Sequence, residues 1–165
     1  MLATDGRTLQ GEAGLPALGK HFIAKAMPLD LIITETPDPA DLETIGKGLT
    51  GFNEHDVGPA NRRALAVILR DGETVHGGLS GYTAWGWLYV QWLWLAEGQR
   101  GQGYAAQMLA LAETEARIRG CHGAYIDTFN PTALRVYRQA GYEVFGELPD
   151  FPEGRTRSFL AKRFP

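Results

Sequence analysis

Residues 103–119 limit the fold more than any other stretch. Ala105, Met108, Leu109, Ala112 and Ala116 recur there at helical spacing, and Gly120 supplies the stop. An apolar run at 85–95 precedes this helix, and a short one at 124–128 (AYIDT) follows it. Strand, helix and strand in this order close as a right-handed unit with parallel strands. The helix carries Glu113–Arg117 and Glu115–Arg119 at i,i+4 spacing, which reads as a solvated outer face.

The flanking segments set the rest of the sheet. Residues 63–70, 75–83 and 85–95 read as three strands of an antiparallel meander, with Asp71-Gly72 as a hairpin signal. Residues 29–36 (LDLIITET) read as a first strand, ended by Pro37 and Pro39. A helix over 39–52 opens on proline with an acidic first turn, and Leu42, Ile45 and Leu49 share one of its faces. A second helix at 131–140 stops at Gly141. Strands at 142–148 and 155–162, joined by PDFPEG, close the chain. The order β-α-β-β-β-α-β-α-β-β predicts an α/β (α+β) domain with a mixed, mostly antiparallel sheet of six to seven strands. A single domain is expected over 27–165. Residues 1–26 are glycine-rich, weakly patterned, and read as an extension.

Composition removes several function classes. With 165 residues, 44% hydrophobic and 21% charged, the chain suits one globular domain. A net charge of −3, with no basic run longer than a pair before Lys162–Arg163, gives no electrostatic footprint for nucleic acid. The most apolar window, about twelve residues at 85–96, falls short of the roughly 20 a membrane helix needs. Cys121 is the only cysteine, so no internal disulfide is possible and a reduced cytoplasmic setting fits. It reads as a small buried residue. His21, His55, His76 and His122 form no zinc-ligand spacing with it, so no metal is expected.

The segment RGQGYA (100–105) joins the strand at 85–95 to the long helix. A helix start presents unpaired N–H groups and partial positive charge, a place for an anion. Glycine at 101 and 103 permits close backbone approach, and Arg100 adds forked donors matched to phosphate. The turn therefore suits a phosphate group, with pyrophosphate the natural size. A P-loop is excluded because no Lys-Ser/Thr pair follows. Gly101-Gln102-Gly103-Tyr104-Ala105-Ala106 satisfies a loose dinucleotide fingerprint. The preceding strand, however, ends an antiparallel meander, and too little chain follows for a doubly wound sheet. A glycine turn of no function is the remaining alternative.

Arg100-x-x-Gly103-x-Ala105 resembles the Q/R-x-x-G-x-G/A pyrophosphate loop of the GNAT acetyltransferase superfamily. Asn130-x-x-Ala133-x-x-x-Tyr137-x-x-x-Gly141-Tyr142 is similar to that family's second segment at full spacing. Alanine at 105, where glycine is more frequent, is the one departure. The resemblance covers about 29–162. It implies that the parallel strands splay and helices cover both faces. Acetyl-CoA would enter the wedge, with its pantetheine arm along Leu93, Trp94 and Leu95. The backbone of Gly101, Gln102, Gly103, Tyr104 and Ala105 would take the pyrophosphate, and main-chain N–H groups of the splayed strand would polarise the thioester carbonyl. Asn130 would bond the pantetheine or cap its helix, with Ala133 also at the cofactor. Tyr137 would act as general acid to the CoA thiolate.

An acceptor amine must also lose a proton. Glu54, His55, Glu97 and Asp127, directly or through water, are the candidates, with Glu54 and Glu97 foremost. Phe52 and Asn53, in the stretch where such proteins build the acceptor wall, and Trp85, Trp87 and Tyr89 are expected to bind the acceptor. Strict alternation puts Trp85, Trp87 and Tyr89 on one sheet face and Trp92 and Trp94 on the other. A bulge, frequent in this strand of the family, would change that division. The resemblance implies an acetyl-CoA-dependent N-acetyltransferase acting on a small-molecule amine, with homodimerisation common among such proteins. A protein or peptide N-acetyltransferase and a non-catalytic acyl-CoA-binding module are the alternatives.

Overall fold

The computed structural model describes residues 29–165, which fall into two compact units, one within Met1–Gly48 and one spanning Leu49–Pro165. The expected extension over 1–26 lies outside the described residues.

The strand expected at 29–36 does not form; only Ile32 makes an isolated bridge. The Thr34 Oγ1 accepts the Thr36 N–H at 3.1 Å. This local bond competes with ladder formation and bends the chain. The first helix, α1 (Pro39–Val57), runs five residues further than expected and buries no residue fully.

Six strands follow: β1 (Arg63–Asp71), β2 (Thr74–Ala84), β3 (Trp87–Leu95), β4 (Gly123–Thr128), β5 (Glu143–Pro149) and β6 (Thr156–Arg163). They form one sheet in the order β1-β2-β3-β4-β6-β5. The pair β3 and β4 is parallel, as the intervening helix α2 (Tyr104–Ile118) requires; the other pairs are antiparallel. The parallel register runs only from Trp87↔Gly123 to Val90↔Ile126. Beyond Val90, β3 continues to Leu95 without a partner in β4, so the two strands part.

The core lies on one face of the sheet. Met108, Leu109, Ala112 and Ala116 of α2 pack with Leu79, Leu88, Val90 and Leu160. Helix α3 (Pro131–Gln139) adds Tyr137, and Tyr142 follows it into the same cluster. Cys121 is buried there as expected, and burial pushes its thiol up.

Three local features depart from the expectation. The strand expected from 85 starts at Trp87, because Trp85 and Gly86 both take positive φ, at 45° and 74°, in a tight hairpin turn. Gln91 is an extra residue: Ser80 pairs with Trp92 while Gly81 pairs with Val90. This bulge reverses the alternation. Leu93 and Leu95 continue the core side begun by Leu88 and Val90, and Trp92 and Trp94 join Trp87 and Tyr89 on the other face. Gly81 is the residue that admits it, since a Cβ there would lie 1.9 Å from the Tyr89 carbonyl oxygen.

Glu113 is the third departure. It stands among the buried residues of α2 and is not on a solvated face. Position 113 follows Leu109 by one helical turn, so it shares the core side. Its Oε2 meets Lys162 Nζ at 2.7 Å and Arg117 Nη2 at 3.5 Å. Lys162 Nζ also donates to the Ala140 carbonyl at 2.8 Å, beyond the end of α3. One ammonium thereby joins α2, α3 and β6.

Candidate active site

The turn ahead of α2 has the geometry an anion needs. Gly101 and Gly103 adopt φ of 75° and 83°, and Gly103 is the N-cap. No side chain caps this helix and no acidic residue stands in its first turn. Its first N–H groups are left for a ligand or water. A Cβ at Gly101 would meet nothing within 4 Å and one at Gly103 only Gln107 Nε2 at 3.8 Å, an ordinary contact, so backbone conformation is what requires glycine at both. Arg100 is exposed, and its Nε donates to the Leu95 carbonyl at 3.1 Å. Gln102 Nε2 donates to the Gly98 carbonyl at 2.6 Å, bracing the turn. Tyr104 and Ala105 open the helix, half-buried.

Asn130 caps α3: its Oδ1 accepts from Thr132 N at 2.9 Å and Ala133 N at 3.2 Å. Ala133 packs partly against the core. Tyr137 is 5% exposed, and burial, then the Asp127 charge, pushes its phenol up to about 12. At neutral pH it is therefore fully protonated.

On the opposite face, a pocket of about 400 Å³ opens between the C-terminal half of α1 and the sheet. Asn53, Glu54, Trp85, Trp87 and Tyr89 line it, so the structure brings these candidates together. Phe52 is 76% exposed and outside this lining. Glu54 Oε1 accepts the Ala60 N–H at 2.9 Å, which ties the end of α1 to the loop before β1. His55 is exposed. Glu97 is exposed at the start of a 3-10 turn (Glu97–Gln99), where its carbonyl accepts from Arg100 N at 3.1 Å. Glu97 therefore stands at the phosphate turn, away from the pocket lining.

The pocket also contains residues that the sequence reading did not single out. Tyr82 and Tyr125 line it beside Tyr89, and the Arg62 guanidinium lies 3.5 Å from the Tyr82 ring centre. Tyr89 and Tyr125 stack at 4.7 Å, while Tyr82 meets Tyr89 edge-on at 5.6 Å. Burial and the adjacent Tyr82 phenol push Tyr125 up to about 12. A signal for Tyr125 existed in the sequence: it and Asp127 alternate with the apolar Ala124 and Ile126, so they share the face away from the core.

Among the described residues no cluster of His, Cys, Asp or Glu could hold a metal, and no helix is long and apolar enough to cross a membrane.

Comparison with known proteins agrees with this arrangement. A family model described as the acetyltransferase (GNAT) family matches residues 33–142. A curated relative, acetyltransferase Atu2258 of Agrobacterium fabrum, is 43% identical over 137 residues, covering 82% of this chain and all of the relative. The blasticidin-S acetyltransferase of Streptomyces morookaense is 39% identical over 87 residues, 52% of this chain and 64% of the relative. A crystal structure of an acetyltransferase from Agrobacterium tumefaciens superposes with a TM-score of 0.79 at 42% identity, covering 82% of this chain and all of that one. The splayed parallel strands and the glycine turn ahead of α2 thus have their counterpart in sequence likeness across most of the chain, which belongs to the GNAT family of acetyltransferases.

Proposed function

We propose that the protein transfers the acetyl group of acetyl-CoA to the amine of a small molecule. One observation carries this reading: an anion-ready, uncapped helix start follows directly from the strand that parts from its parallel neighbour. The first N–H groups of α2, with Arg100, hold the pyrophosphate. Leu93, Trp94 and Leu95 offer main-chain groups to the pantetheine arm, and N–H groups of this splayed stretch polarise the carbonyl that reacts. Asn130 offers its amide nitrogen to the same arm while its oxygen caps α3. Acetyl-CoA supplies the activated thioester.

Tyr137 is the general acid. A phenol held at about 12 is a weaker acid than a thiol of about 8.5. Its first contribution is therefore a hydrogen bond to sulfur as charge develops, with proton transfer accompanying departure. The aromatic pocket between α1 and β2–β4 takes the acceptor, with Trp85, Trp87 and Tyr89 as its wall and Asn53 at its edge. Flat rings and cationic groups both suit such a lining. The likeness to a blasticidin-S acetyltransferase supports a small-molecule acceptor.

The test is thiol release from acetyl-CoA across a panel of amines that includes blasticidin S. Tyr137→Phe lowers turnover by about 10²–10⁴-fold, the range for general acid catalysis, and leaves CoA affinity by calorimetry unchanged. Equal turnover in the variant refutes the assignment of Tyr137.

A further inference from the structure

Tyr89, Asp127 and Arg157 form a connected polar chain where β3 and β4 part. The last paired residues are Val90 and Ile126. Tyr89 lies one residue before that point on β3, and Asp127 one residue after it on β4. The Tyr89 ring is fixed by stacking on Tyr125 and by the edge of Tyr82. Its hydroxyl donates to Asp127 Oδ1 at 3.3 Å. Asp127 Oδ2 is held by Arg157, through Nε at 2.6 Å and through Nη2. The Arg157 guanidinium in turn rests on the Phe151 ring at 4.9 Å.

Tyr89 is raised by burial and by Asp127, with Arg157 opposing and Tyr82 adding a little. Asp127 also acts on Tyr137.

Tyr89 spends its only proton on Asp127, so towards the pocket its oxygen can only accept. Asp127 is not part of the pocket lining and meets it through Tyr89; the carboxylate that does line it, Glu54, has Oε1 committed to the Ala60 amide, and Glu97 stands at the phosphate turn. We propose that Tyr89 and Asp127 are the proton relay for the acceptor amine, and that Arg157 is its positioning residue. The proposal rests on the acetyl-transfer reading above. The acceptor ammonium first gives one proton to the Tyr89 oxygen while the Tyr89 proton passes to Asp127 Oδ1, which leaves a lone pair on nitrogen; an uncharged amine has no need of this transfer. The N–C bond then forms, the C–S bond breaks with its electron pair on sulfur, and sulfur takes the Tyr137 proton. The acylated nitrogen gives up its surplus proton, through water, to restore Tyr137, and Asp127 returns its proton to solvent. Ammonium and thioester thus become amide, thiol and one released proton, so no further reactant is needed.

The experiment compares Tyr89→Phe, Asp127→Asn, Arg157→Met and Arg157→Lys on blasticidin S and phenethylamine. Tyr89→Phe and Asp127→Asn are expected to lower kcat by about 10²-fold or more, with CoA affinity within twofold of the parent. The loss is at least tenfold smaller with hydroxylamine, a nucleophile that arrives uncharged. Arg157→Met falls between these and the parent, and Arg157→Lys recovers part of the loss. Independently of turnover, carbon-13 tyrosine NMR finds the Tyr89 titration at lower pH in Asp127→Asn. Parent-like kcat in Tyr89→Phe, an equal loss with hydroxylamine, or an unmoved Tyr89 titration overturns the relay alone. A parent protein inert towards every amine overturns the acetyl-transfer reading and the relay with it.

Discussion

Lys162 offers a test of the fold that needs no ligand. Its Nζ is 2.7 Å from Glu113 Oε2 and donates to the Ala140 carbonyl at 2.8 Å. The Glu113 side chain is 4% exposed, and its Oε1 has no partner within hydrogen-bond distance. Lys162→Met keeps the aliphatic stem and removes the charge. Breaking a buried pair from one side costs about 3–5 kcal/mol, because the remaining charge stays buried. Arg117 Nη2, at 3.5 Å and on a side chain 40% exposed, compensates a little. The low end, about 3 kcal/mol, is therefore expected. For a chain of this size that corresponds to a fall in Tm of about 6–12 °C. Adding Glu113→Gln removes the stranded charge, so the double variant should regain about 1–2 kcal/mol relative to Lys162→Met. Urea denaturation of the parent, both single variants and the double variant closes the cycle. A Lys162→Met protein within about 0.5 kcal/mol of the parent, or a double variant no more stable than Lys162→Met, refutes the claim that this ion pair compensates a buried carboxylate. Since the same ammonium joins α2 to the end of α3, turnover should fall along with stability.

Three other expectations follow from backbone and titration. Gly81→Ala places a Cβ 1.9 Å from the Tyr89 carbonyl oxygen, so β2 and β3 must shift; a loss of about 3 kcal/mol by denaturation is expected, and a neutral result denies the bulge geometry. Gly103→Ala meets no obstacle but must hold φ near +83°, at about 1–2 kcal/mol; CoA affinity should weaken accordingly, whereas Gly98→Ala, with open space and no left-handed φ, should bind as the parent does. Alkali gives the third: unfolded tyrosines ionise near pH 10, but Tyr125 and Tyr137 hold their protons to about 12. Between those values the unfolded chain binds fewer protons, so stability falls as pH rises from about 10 to about 12 and is unaffected by these groups below that window. Urea midpoints that stay level through pH 11 refute the burial of these phenols.

Much of this architecture was legible in the residues, for identifiable reasons. Helix α2 announced itself by periodicity, and the crossover it makes fixed the parallel pair. The turn before it was readable because left-handed positions select glycine, and the α3 cap because Asn130-Pro131 is a start signal. The errors fall where a local pattern depends on something distant. Residues 29–36 have strand composition, but a strand needs a neighbour to pair with, and Thr34 turns the backbone inward on itself instead. Glu113 looked solvated because its i,i+4 partner was visible; its true partner, Lys162, lies 49 positions away. Arg157 was silent for the same reason, since its meeting with Asp127 spans 30 positions. Helical spacing from Leu109 could have placed Glu113 inside.

The extra residue at Gln91 fixes how substitutions and deletions along β3 should be understood. Were it deleted, Trp92 would follow Val90 directly, and a strict two-residue beat would leave both indoles and both leucines on the faces they already occupy. The damaging change is the opposite one: a strand pulled flat with Gln91 retained would drive the indoles of Trp92 and Trp94 into the interior beneath α2 and throw Leu93 and Leu95 out to water. Loss of that one codon is thus mild, whereas ironing out the kink is equivalent to rewriting four side chains at once.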